Sequence, residues 1–177
     1  MKKYKSGAAI NILAGLVMLI PAVVILISAA ESFGGVKSFL QYSLLVCGIV
    51  YIFAFVENRR GYFRPGWILT QGFSQFFIGL SVLFLTEEQF TEERICITFG
   101  IWALVTAASQ MSGGIQLRAL EVRRWFLLIG EGVLNLIWAF FLLVNPFESY
   151  EYMWFLAGMF MGCISIGTIL EFFINKR

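Results

Sequence analysis

The chain has 177 residues, 59% hydrophobic and 14% charged, with a mean hydropathy of +0.82 and a net charge of +2. That composition excludes an ordinary soluble domain, and the dispersed basic residues exclude a nucleic-acid surface. With no His and no Asp, the chain lacks the usual general base and the commonest metal ligand, so nothing calls for catalysis or a cofactor.

Residues 1–5, MKKYK, are basic and lead into an apolar run over 7–29. The run is longer than a signal-peptide core of about 7–15 residues, so it reads as an uncleaved first span, although Ser28, Ala29 and Ala30 would suit cleavage. Pro21 is expected to kink it. After a short turn at 31–37, a second span covers 38–56, and residues 57–66 form a basic loop punctuated by Pro and Gly. The third span covers 67–86, and the loop 87–94 carries four Glu. The fourth span runs over 95–117, with Gly113 and Gly114 expected to loosen its last turns. Residues 118–124 lead into a fifth span from Trp125 to Val144, and a turn at 145–152 precedes the sixth, 153–174. About 20 helical residues cover the roughly 30 Å of a bilayer's hydrocarbon. The fold class is therefore an all-α membrane protein of six transmembrane helices, a single integral domain over 1–177.

Charge predicts the orientation. Lys2, Lys3, Lys5, Arg59, Arg60, Arg64, Arg118, Arg123, Arg124, Lys176 and Arg177 fall on one side; Lys37, Arg94 and seven Glu fall on the other. The basic side is expected to face the cytoplasm, with both termini. Trp67 and Trp125 then mark one interface, and Tyr150, Tyr152 and Trp154 the other.

The odd-numbered spans align with one another. Asn11 and Gly15, Gln75 and Gly79, and Asn135 and Ala139 each place a carboxamide four residues before a small residue, on one helix face. Gly100 and Gly158 match in the even spans, as do Gln110 and Thr168. Three helical hairpins (7–56, 67–117 and 125–174) related by a pseudo-threefold axis along the membrane normal are expected.

The candidate polar site within the spans is Asn11, Gln71, Gln75, Glu131, Asn135 and Glu171. Glu131 stands one turn before Asn135, and polar groups this deep should face other helices or water. Glu131 and Glu171 read either as a proton- or cation-binding pair or as groups bonded to neighbours such as Gln71, Arg123 or Arg124. The carboxamides read either as interhelical glue or as the lining of a small-solute or ion pathway. Gly158 and Gly162 form a close-packing motif suited to an internal contact or a homo-oligomer. Cys47, Cys96 and Cys163 lack CxxC spacing and read as small buried hydrophobes.

Three stretches carry a resemblance: SLLVCGIVYIFAFVENRR (43–60), FGIWALVTAASQMSGGIQLR (99–118) and WFLLIGEGVLNLIWAFFLLVNP (125–146). In these the chain resembles the HdeD family, six-helix bacterial inner-membrane proteins built from a short repeated domain of unknown function. The resemblance implies a multi-pass protein of envelope or acid stress tolerance, in contact with the lipid bilayer, with no catalytic residues to carry over. The acidic 87–93 segment is not part of that family's pattern.

Overall fold

The structure, a computed structural model, describes residues 5–28, 33–58, 66–89, 91–123, 125–144 and 150–174. Within these ranges the side chains of 5–11, 28, 33–36, 39, 57–58, 87, 92, 150–151, 153–154 and 170–174 are not described. Expectations about the side chains of Asn11 and Glu171, and about the 59–65 and 145–149 connections, lie outside the described residues.

The apolar runs become six α-helices: α1 (Lys5–Ser28), α2 (Phe33–Asn58), α3 (Gly66–Phe84), α4 (Glu92–Ala119), α5 (Trp125–Val144) and α6 (Tyr150–Ile174). A helix satisfies its own backbone polar groups, which is what an apolar run needs away from water. Three of the six, α3, α4 and α5, have described stretches long and apolar enough to cross a bilayer. The described apolar stretches of the others are shorter: Ile12–Ile27, Leu40–Val56 and Phe155–Ile169. Exposed Leu, Ile and Phe side chains cover every helix, among them Ile27, Phe53, Phe77, Ile101, Phe140 and Phe155. So much exposed apolar surface is the mark of a protein that faces lipid.

Two connections depart from the expected loops. The 87–94 segment is partly helical: Glu87–Gln89 forms a 3-10 turn, and α4 starts at Glu92. Thr91 caps α4 by accepting the Arg94 N–H at 3.4 Å, a contact that offsets one of the unpaired amides of a helix start. At the other end α4 continues past Gly113 and Gly114 to Ala119, so these glycines do not loosen it. A Cβ on Gly113 would meet the Trp67 ring at 2.6 Å, and one on Gly114 would meet Ile129, so both glycines serve close approach. The turn into α5 is a Schellman closure. Val122 N–H bonds the Leu117 carbonyl and Glu121 N–H bonds the Arg118 carbonyl, with Glu121 left-handed at φ 57°.

The helices touch in a ring, each meeting its neighbours in sequence, with α6 closing onto α1. Contact is broadest at α2–α3, α4–α5 and α1–α6, rather than within the expected hairpins 7–56, 67–117 and 125–174. The reason lies in the glycines. Gly48, Gly72 and Gly79 set α2 against α3, Gly100, Gly114 and Gly132 set α4 against α5, and Gly15 and Gly158 set α1 against α6. Missing side chains let backbones approach, which strengthens the van der Waals packing that helps to drive helix association in lipid.

These contacts also fix the register. A Cβ on Gly132 would lie 3.1 Å from the Ala107 carbonyl, beside Met111; one on Gly15 would lie 2.9 Å from the Ser165 carbonyl, beside Ile169. Gly100 meets Leu142 and Leu143, and Gly158 meets Ile25 and Leu26. The α1–α6 pair thus repeats the α4–α5 pair, and Gly15 is the counterpart of Gly132 and of Gly72. Aligning the odd-numbered spans by sequence places Asn11 opposite Gln75 and Asn135. By contacts that position belongs to Met18, seven residues on, which is fully buried like its counterparts. Seven residues are two turns, so the face is unchanged and only the depth differs, by roughly 10 Å.

Candidate functional site

Two apolar clusters fill the bundle. One holds Met18, Ile25, Leu40, Phe99, Trp102 and Phe160; the other holds Ala14, Tyr51, Trp67, Ile68, Leu117 and Leu128. Aromatic edges lock the first: Trp102 stands 5.2 Å from Phe160 and 5.7 Å from Phe99, centroid to centroid, in T-shaped contacts. At the join of the two clusters lies a layer of buried polar side chains: Gln71, Gln75, Thr106, Gln110, Asn135, Ser165 and Thr168.

Gln110 is the hub of this layer. Asn135 donates from Nδ2 to Gln110 Oε1 at 2.6 Å, tying α5 to α4, and the Gln110 side chain also bonds the Glu131 carboxylate. One carboxamide thereby accepts from one turn of α5 and serves the preceding turn, which its donor and acceptor ends permit. Glu131 also reaches α6. Its carboxylate occupies the space a Cβ on Gly167 would take, with Cδ at 2.6 Å from that point, so a glycine is what admits it there. Two further bonds link α6 to other helices. Tyr51 of α2 and Thr168 share a hydrogen bond at 2.5 Å, and the Trp138 indole of α5 bonds Cys163. On the opposite flank the Cys47 thiol donates to the Ala14 carbonyl at 3.6 Å.

Among the predicted site residues, Glu131 and Asn135 are brought together through Gln110. Gln71 and Gln75 lie buried on α3, each with an Oε1 that no described group bonds. Neither Arg123 nor Gln71 makes a described bond to Glu131; Gln110 takes that place. Arg124 and the side chains of Asn11 and Glu171 lie outside the described residues. Gly167, Tyr51 and Thr106 are site residues that the sequence does not point to. Gln110 and Thr168 are visible there as a matched pair, but a partner on another helix leaves no trace in local spacing. Gly158 packs on α1 as a close-packing residue should, whereas nothing described stands within 4 Å of a Cβ on Gly162. Cys47 and Cys96 are buried, Cys163 is partly so, and none of the three is in a disulfide.

No protein-family model, curated protein or solved structure matches the chain.

Proposed function

We propose that the chain is a six-span, non-enzymatic protein of the bacterial inner membrane, of the HdeD kind, and that it supports envelope or acid stress tolerance through its packed body. The six-span reading draws support from α1, α2 and α6, which are 24, 26 and 25 residues long, enough to cover hydrocarbon at about 1.5 Å per residue. The pseudo-threefold reading draws support from the glycine contacts that recur around the ring. Cytoplasmic termini follow from the distribution of Lys and Arg.

The observation that carries the packing reading is the Asn135–Gln110–Glu131 chain. Its polar groups bond one another across helices, between two apolar clusters. Bonded in this way, the carboxylate and amides hold α4, α5 and α6 together. A small-solute or proton pathway through Glu131 and the carboxamides is the second reading, favoured by the partial exposure that Glu131 retains.

Survival under acid challenge separates them, in cells that lack the protein and are complemented by variants. Glu131→Gln keeps a hydrogen-bonding group of the same shape, so it should restore survival as wild type does, while Glu131→Leu should not. A folded Glu131→Gln protein that fails to protect would favour the pathway. Equal survival with and without the protein would remove the stress role.

A further inference from the structure

The α3–α4 seam holds polar groups that the bundle itself does not satisfy. Gln71 and Gln75 are 4% and 1% exposed, Thr106 is 1% and Trp102 is 0%. The Gln71 Oε1, Gln75 Oε1, Thr106 Oγ1 and Trp102 Nε1 atoms are fully buried, and none has a hydrogen-bond partner among the described residues. Leaving four such atoms unpaired would forfeit much of a domain's net stability.

Helix register brings the four to one stretch of the bundle. The helices run antiparallel, and the Trp67 ring meets the Cβ direction of Gly113 at 2.6 Å. Two turns on from Trp67 along α3 and two turns back from Gly113 along α4 bring Gln75 level with Thr106. Gln71 is then level with Gln110, and Trp102 stands one turn beyond Thr106 on the same face. The glycine register also places Thr106 as the counterpart of Cys47, and Gln71 as that of Ala14. Cys47 points at the Ala14 carbonyl across the α1–α2 seam, so the same relation turns Thr106 toward the Gln71–Gln75 turn of α3 across the α3–α4 seam.

We propose that this seam is an internal hydration site, in which water bridges Gln71, Gln75, Thr106 and Trp102. The set matches what buried water takes: two carbonyl acceptors, an indole donor and a hydroxyl able to do both, against two to four bonds per molecule. The aromatic contacts of Trp102 with Phe99 and Phe160 close one end, and the water abuts Gln110 at the other. The inference stands apart from the stress role, since it rests on these atoms alone.

Water-edited solid-state NMR on the wild-type protein in bilayers tests it, with the Trp102 indole resonance assigned by Trp102→Phe. Magnetisation from water should reach the Trp102 Nε1–H and the Gln75 amide early. The Trp138 indole, committed to Cys163, should lag. Thr106→Val, which keeps the shape and removes the hydroxyl, should delay the transfer and lower Tm by about 2–8 °C. Trp102 and Gln75 signals that receive water no sooner than Trp138 would overturn the proposal. So would a Thr106→Val protein that is more stable than wild type, the result expected of a dry orphaned hydroxyl.

Discussion

At the scale of single residues, Glu131 shows why a carboxyl group is tolerated so far into an apolar helix. It bonds Gln110 and lies over Gly167, so three helices share the cost of burying it. Gly167→Ala puts a methyl group 2.6 Å from the Glu131 Cδ and must displace the carboxylate. The expected loss is about 1–3 kcal/mol in denaturant unfolding in detergent, and Glu131→Ala in the same chain should recover most of it. Additive losses would show that the two residues do not meet. Sequence alone singles out Glu131 and Asn135, because polar residues inside an apolar run stand out. It does not single out Gly167, one of 17 glycines, because its role depends on which carboxylate reaches it.

Single elements show where sequence patterns lose depth. The bounds of α5 match its apolar run from Trp125 to Val144, a run of the length that covers a bilayer's hydrocarbon. The 87–94 loop is shorter than its composition suggests, because Thr91 starts α4 with a cap that four acidic residues obscure. For α1 a seven-residue displacement preserves the face, so Asn11 and Met18 are equivalent to any pattern of apolar and small residues. Only the seating of Gly15 against Ser165 and Ile169 separates them. A cysteine pair at Leu26 and Gly158, in a chain without its native cysteines, should therefore cross-link in membranes. A pair at Leu19 and Gly158, the neighbours implied by aligning Asn11 with Gln75, should not. The reverse result would restore the alignment through Asn11. At the end of α4, Glu121 holds a left-handed φ of 57° that favours glycine. Glu121→Gly should raise stability by about 1 kcal/mol in the same unfolding assay. A loss of that size would mean that the Glu121 side chain contributes more than its backbone costs.

Over the whole molecule, six helices close into a ring whose broad and narrow contacts alternate, with a polar layer where two apolar clusters join. Composition made the helical, lipid-facing character legible. The pairing of helices was not, since consecutive antiparallel helices look alike in sequence whether or not their glycines face each other. The central proposal is that this layer binds helices together and does not conduct. Water confined to the α3–α4 seam is compatible with that, because the Phe99, Trp102 and Phe160 contacts close the seam at one end. The most direct measurement is proton flux into liposomes reconstituted with the protein under an imposed pH gradient, read by an entrapped pH dye. Wild type, Glu131→Gln and Glu131→Leu proteins should all leave the leak of protein-free liposomes unchanged. A wild-type flux above that leak, abolished by Glu131→Gln in a protein that still folds, would contradict the claim and make Glu131 part of a pathway.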